Sequence, residues 1–360
     1  MVRSRSQKAV EKRVQRFLAD YDAQWRAAAP AFERRDPASG HRDAFEAWGA
    51  RTARVREEHF TADTTEEFRS FGRPPEYGVA VERIVRSEVV GEKAYVLTEV
   101  FSHPLDMFHE FTLVPQGGEW RIRAIAQHFE DPALPFASAD VVQDALAGTA
   151  VDAPWDPMPA AQSRLDEQRN FTDRAVSSAK GETTEARVNP VGTLVTRSGA
   201  LAVLDFGYDN DDARPLAHRV PPGSYPVERV TAFGRNAAVR VRFSDRMPVA
   251  WHPASLPGSG HVIGVDAGCA CIVDYPAYAQ MTRRAKAEAF DDFLRTPHPV
   301  AFEVPLGDGD GDVGVAAESG YGDGSYPVYW GVDEAGKIVQ LVVDFLVLAA
   351  EDDDGVLVHL

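Results

Sequence analysis

The amino-acid sequence predicts an α+β fold in two parts: a cone of helices on a curved antiparallel sheet, then a mainly antiparallel β-rich domain with one principal helix. Three observations predict it. Apolar residues recur at spacings of three and four near the N-terminus, the period of a helix with one buried face. From residue 77 the pattern turns into short alternating runs between Gly-rich turns, as strands require. Pro132, Pro135, Pro154, Pro157 and Pro159 then interrupt both patterns, as a connector would. The expected organisation is a first domain over 1–131, a linker over 132–160 and an acidic β-rich domain over 161–360.

In 7–28, Val10, Val14, Phe17, Leu18, Tyr21 and Trp25 form one apolar stripe, and Pro30 is expected to close the helix. A second helix is expected over 43–58, carrying Phe45, Trp48 and Val55. Strands are expected over 77–90, 93–103, 107–115 and 119–129. Gly91-Glu92 and Gln116-Gly117-Gly118 are the turns that make the last three a meander. This order, with Phe71-Gly-Arg-Pro-Pro-Glu-Tyr77 and Gly118-Glu-Trp-Arg-Ile122, resembles the nuclear-transport-factor-2-like (NTF2-like) cone fold, and bacterial immunity domains of that fold in particular. The resemblance covers about a third of the chain. It implies a domain that neutralises a toxin by binding it, without catalysis.

A cone of this kind can enclose a cavity. Its polar lining would come from Tyr21, His103, Asp106, His109, Glu110 and His128, where a His–Asp pair could act as acid and base. His109 and Glu110 are neighbours on one strand and face opposite sides, so both cannot line it. Pro104 places His103 and Asp106 in a turn. Tyr21, His109 and His128 remain as pocket-lining candidates.

In the second domain, strands are expected over 193–196, 200–205, 225–233, 237–243, 262–265, 271–273, 300–304 and 337–348. The run 237–243 alternates Val239, Val241 and Phe243 with Arg240 and Arg242, which predicts one wet face. The principal helix is expected over 278–294, with Met281, Ala285, Ala289 and Phe293 inward and Arg283, Arg284, Lys286 and Glu288 mostly outward. Val262-Ile-Gly-Val-Asp-Ala-Gly268, Gly320-Tyr-Gly-Asp-Gly-Ser-Tyr-Pro-Val-Tyr-Trp-Gly331 and Gly336-Lys-Ile-Val-Gln-Leu-Val-Val-Asp-Phe345 together resemble a bacterial domain of unknown function, number four-two-four-one, over roughly 161–348. That resemblance implies a domain and no activity.

Charge narrows the partner. Residues 1–130 hold 20 basic and 21 acidic side chains, whereas 131–360 hold 18 and 34, so nearly all of the net −17 lies in the second part. Such a field repels nucleic acid, whose phosphates need Lys and Arg. It speeds encounter with a basic protein, a toxin domain for instance. No uninterrupted apolar stretch reaches the length of a membrane helix, and Gln340 and Asp344 break the longest apolar run. The first residues lack the apolar core of a secretory signal, so the expected setting is the cytoplasm, with no membrane partner.

Cys269 and Cys271, the chain's two cysteines, are too few for a structural zinc site, and in a strand they share one face. Asp308, Asp310 and Asp312 have the first acidic spacings of a calcium loop. Val313 stands where the loop needs Gly, and Ser319 where it needs Glu, so no metal is expected. The mobile acidic loop they form, together with Tyr321, Asp323, Tyr326, Tyr329 and Trp330 of the Gly-rich loop, is the expected partner-binding surface. An alternative catalytic set is Asp266 and Asp274, eight residues apart and facing each other across a hairpin, with His252. No nucleophile elbow, phosphate loop, zinc-binding helix or dinucleotide fingerprint is present, and no cofactor is expected. The sequence therefore points to a non-enzymatic cytosolic binding protein, an immunity factor that occupies a toxin's surface. The alternative is a small-molecule-binding protein or a hydrolase- or isomerase-like enzyme using the cone cavity or the Asp266/Asp274 region.

Overall fold

The computed structural model describes residues 4–33, 41–102, 107–178, 180–257, 262–306 and 311–360. The chain divides into two units, Met1–Leu134 and Pro135–Leu360. In the first, helices α1 (Arg5–Glu33) and α2 (Arg42–His59) precede strands β1 (Glu82–Val90), β2 (Lys93–Val100), β3 (Met107–Gln116) and β4 (Glu119–His128). The strands pair antiparallel in chain order, a four-stranded meander. Register shifts at Ile84/Arg86 and Thr112/Leu113 add the local twist that lets the sheet curl. The stripe read from the sequence is the packed face of α1: Val10, Val14, Phe17, Leu18 and Tyr21 are all buried. The helix runs on through Pro30. A proline in the last turn forfeits one hydrogen bond there and does not break what precedes it.

The second unit opens with α3 (Ala139–Ala147), capped by the Ser138 hydroxyl, which accepts from the Val141 N–H. The segment expected as a linker packs into this unit: Phe136 and Val142 are buried, and Ala137 N–H donates to the Ala279 carbonyl. After short 3₁₀ turns at Ala160–Gln162 and Glu167–Arg169 come β5 (Arg174–Ser177), β6 (Thr183–Thr196), β7 (Leu201–Asp205), β8 (Gly223–Ala232), β9 (Arg235–Arg242) and β10 (Ala250–Pro253). There follow β11 (Val262–Val265), β12 (Cys269–Asp274), helices α4 (Tyr275–Ala279) and α5 (Arg283–Arg295), β13 (Ala301–Pro305) and β14 (Val313–Glu318). The chain ends with β15 (Gly324–Val332), β16 (Ile338–Asp344), β17 (Ala349–Glu351) and β18 (Leu357–His359).

An eight-stranded antiparallel sheet runs β10-β15-β16-β9-β8-β6-β5, with β11 also paired to β15. A four-stranded sheet runs β13-β14-β12-β7, and β17 and β18 form a hairpin. Strand alternation sorts the side chains into layers. Val239, Val241, Val328, Trp330, Leu341 and Val343 of the large sheet pack on Leu201, Val203, Ala270, Ile272, Val315 and Ala317 of the small one. The small sheet's other face, with Cys269, Cys271 and Val273, packs on Tyr275, Tyr278 and Phe293 of α4 and α5. The single helix expected over 278–294 is thus two. Thr282 breaks it and caps α5, its hydroxyl accepting from the Ala285 N–H at 3.2 Å. Arg283 and Lys286, expected outside, are buried. Arg283 pairs with Asp211 and lies 5.2 Å over the Phe136 ring, and Lys286 Nζ is 3.7 Å from Asp209. Pairing and aromatic contact are what allow such groups inside.

Candidate functional site

The interior of the first unit is filled. Phe17, Tyr21, Trp48, Phe60, Phe68, Tyr77 and Phe111 occupy it in edge-on and tilted contacts, with Tyr21 5.5 Å from Trp48 and 5.2 Å from Tyr77. Tyr21 is therefore a core ring and not the wall of a cavity. Burial, with Glu76 nearby, pushes its phenol well above the usual range. His109 does face this interior, beside Tyr77 at 4.9 Å, and its Nδ1 lies 3.2 Å from Glu82. Glu82 also accepts from Thr98 Oγ1 at 2.6 Å. The group is dry and closes on itself. His128 corrects the expectation differently: it stands opposite Phe108, whereas His109 stands opposite Gln127, so alternation puts His128 on the other face of the sheet. His103 and Asp106 lie outside the described residues. A surface recess of about 200 Å³ lies beside α2, lined by Thr52, Arg56, Glu67, Phe68 and Arg69, and none of the expected pocket residues reaches it.

The alternative catalytic set does not assemble. Asp274 is the last residue of β12 and Asp266 lies three positions before its first, so the strand, about 17 Å from first residue to last, separates them. They do not face each other across a hairpin. Asp274 is buried and accepts from the Thr196 hydroxyl, from Ser198 N–H (3.2 Å) and from Ser198 Oγ (2.7 Å), which ties down the loop after β6. Asp266 is exposed, and its N–H donates to Asp205 at 2.6 Å. His252 lies on β10, stacked 4.5 Å from Trp155, where burial lowers its pKa. Cys269 and Cys271 share one face of β12 and are buried, with no bond between them. Burial pushes the Cys269 thiol up to about 12 and the Cys271 thiol higher still.

The expected binding loop is mostly interior. Tyr326, Tyr329 and Trp330 are at most 4 % exposed, because β15 is a central strand of the large sheet, flanked by β16 on one side and by β10 and β11 on the other. These rings are core and cannot anchor a partner. Tyr321 is 61 % exposed, with Arg235 5.2 Å over its ring, and Asp323 is exposed beside it. Asp312 pairs with Arg197 at 2.7 Å. Asp308 and Asp310 lie outside the described residues.

What the sequence reading missed is on the outer face of the large sheet. Tyr329, Gln340, Asp344 and Arg240 share that face by register, since Tyr329 and Arg240 both stand opposite Val342. Residues 160–171 cross it. Tyr329 donates to Gln162 Oε1 (3.0 Å), Gln340 Nε2 donates to Gln168 Oε1 (3.5 Å), and Arg240 lies 4.3 Å over the Phe171 ring while pairing with Glu228 at 2.6 Å. At the centre Glu167, Asp344 and His359 meet, each buried, with their ligating atoms within 4.8 Å of one another. His359 Nε2 is 3.4 Å from Asp344 and 3.8 Å from Glu167. Asn170 Nδ2 donates to Glu167 at 2.9 Å, and Leu346 N–H donates to Asp344 at 2.7 Å. Desolvation first, and then the charge of Asp344, raise the Glu167 carboxyl well above its ordinary value.

A divalent cation would find two carboxylates and an imidazole here, but the histidine is turned the wrong way. Asp166 N–H donates to His359 Nδ1 at 3.2 Å, so the ring's hydrogen sits on Nε2, toward the carboxylates. A metal-bound imidazole has the reverse arrangement, its free nitrogen donating outward. The donor set as placed suits shared protons. The sequence did carry a signal: Gln340 and Asp344 interrupt an otherwise apolar strand on a single face.

Among the described residues, no helix is long and apolar enough to cross a membrane. No curated protein and no solved structure matches the chain. Residues 194–343, from the end of β6 through most of β16, match the model of a family described as protein of unknown function (DUF4241), in keeping with the resemblance drawn from the second domain's motifs.

Proposed function

We propose that the chain is a non-catalytic binding protein whose acidic second unit meets a basic protein partner. The resemblance of the first unit to NTF2-like immunity domains points to neutralisation of a bacterial toxin in the cytoplasm. One observation carries the choice of binding over catalysis: of the acid–base and nucleophilic groups named above among the described residues, all but the exposed Asp266 and the half-buried His252 are interior, while acidic side chains lie exposed on the second unit. Asp274, His109, Glu167 and both thiols are closed off from solvent. Asp245, Asp323, Glu334, Asp353 and Asp354 are exposed on a unit that holds nearly the whole net charge. Tyr321 is the aromatic side chain of the expected set that remains free to meet a partner.

The test is to express the flanking reading frames one at a time in a bacterial host, with and without this chain. One of them is expected to arrest growth and to be relieved by co-expression. With that product as probe, Asp323→Lys combined with Asp353→Lys is expected to slow association about tenfold at low salt and little at high salt, where such fields are screened. Arrest that the chain never relieves would overturn the immunity reading. Association indifferent to both salt and charge reversal would overturn the electrostatic one.

A further inference from the structure

We propose that residues 160–171 form a strap fastened over the polar face of the large sheet by shared protons, with Glu167, Asp344 and His359 as the latch. The latch joins three separate pieces of chain: Glu167 from the strap, Asp344 from the end of β16 and His359 from the C-terminal hairpin. Two carboxylates this close and this dry cannot both be ionised without a counter-charge. Glu167 Oε1 has no donor among the described groups while both acids are charged. A proton on it lets Glu167 donate to Asp344, which then receives three donors: that hydroxyl, the Leu346 N–H and the His359 Nε2–H. The Asp166 N–H on Nδ1 holds the imidazole in the tautomer this needs.

The ionisable groups facing Glu167 are Asp344 from β16, His359 from β18, Tyr329 from β15 and Asp166 from the strap itself. The ion pair of Arg240 with Glu228 lies at the strap's far end, under Phe171. Beside the latch, the strap is fastened by Tyr329, which donates to Gln162 Oε1 at 3.0 Å, by Arg164 paired with Asp352 on the C-terminal hairpin, and by Trp251 Nε1, which donates to Asp166 at 3.2 Å. The latch is the proton-dependent part of the closure.

The sign follows from which state holds the protons. A closed strap keeps the Glu167 proton at pH values where an opened strap has lost it, so rising pH favours opening until Glu167 itself ionises. The window to read lies above about pH 6.5, where a glutamate exposed to water is ionised and the opening constant rises by up to tenfold per pH unit.

Hydrogen exchange of the full chain tests this, read on peptides covering 160–171 and 349–360, corrected for intrinsic rates, between pH 6.5 and 9. The wild type is expected to show the rise. Glu167→Gln, whose amide can still donate to Asp344, is expected to be flat over the same range. A flat wild type, the same slope in Glu167→Gln, or uptake of one equivalent of Zn²⁺ or Mn²⁺ that Glu167→Gln abolishes would each overturn the latch. Should Glu167→Gln fail to fold, infrared spectra of the ¹³C-glutamate-labelled wild type decide the matter. A protonated glutamate carboxyl band at pH 7 is expected, and its absence overturns the proposal.

Discussion

Two aromatic residues nine positions apart in one motif have opposite fates, and the difference is one of strand position. Trp330 sits on β15 with its ring in the space between the two sheets, near Phe243 at 6.0 Å and His218 at 6.4 Å, and it is fully buried. Tyr321 precedes the strand, in the turn, where no layer covers it. Removing a buried indole leaves a hole that a packed sandwich cannot close. Trp330→Ala is therefore expected to cost about 3–5 kcal/mol. Tyr321→Ala is expected to stay within about 0.5 kcal/mol, the exposed ring having little to lose. Urea unfolding of the two variants checks this. Comparable losses would mean that the turn is part of the core and that Tyr321 is not free to meet a partner.

At the scale of elements, the turns are held more tightly than their sequences suggest. Gly199 has φ of +72°, and a Cβ there would lie 1.9 Å from the Val220 carbonyl oxygen. That contact belongs to a crossing of two backbones, where Val220 N–H donates to Gly199 O at 2.9 Å. Gly234, in the β8–β9 turn, has φ of +71° but open space around it. Gly234→Ala is expected to cost about 1–2 kcal/mol, the left-handed penalty alone. Gly199→Ala is expected to cost about 2 kcal/mol beyond that, because backbone must move. Equal midpoints in denaturant would show that the crossing yields. Such crossings mark the limit of what was legible. The stripe of α1 and the meander β1–β4 are local patterns, and the periodicity carried them. The wet face expected for Arg240 and Arg242 was right about alternation and wrong about water for Arg240, since residues 160–171, far away in sequence, lie across it. The latch draws on Glu167, Asp344 and His359, separated by nearly two hundred positions. Gln340 and Asp344 were visible as breaks in an apolar run, but the partners that justify them were not. The Gly-rich segment from Gly320 misled for a related reason: its aromatics read equally well as anchors or as core until pairing on both sides of β15 decides.

At the scale of the molecule, the division between Leu134 and Pro135 separates two units with independent reasons to fold. The first has its own aromatic core around Phe17 and Tyr21, and the second has two apolar layers, one between the sheets and one beneath α4 and α5. A unit that closes its own core folds by itself when cut at such a boundary. The cut also parts the charge: 1–134 carry 20 basic and 22 acidic side chains, and 135–360 carry 18 and 33. Residues 1–134 and 135–360 produced separately are each expected to unfold cooperatively. The second piece is expected to elute from an anion exchanger at clearly higher salt, since long-range charge and not fold governs that retention. If attraction of a basic partner resides in the field of the second unit, that piece alone should keep the salt-dependent association of the whole chain, and the first alone should lose it. Thermal melts and salt-dependent association of the two pieces settle both points together. A second piece that folds but associates no faster than the first would place recognition in the aromatic-cored unit and remove net charge from the account of binding.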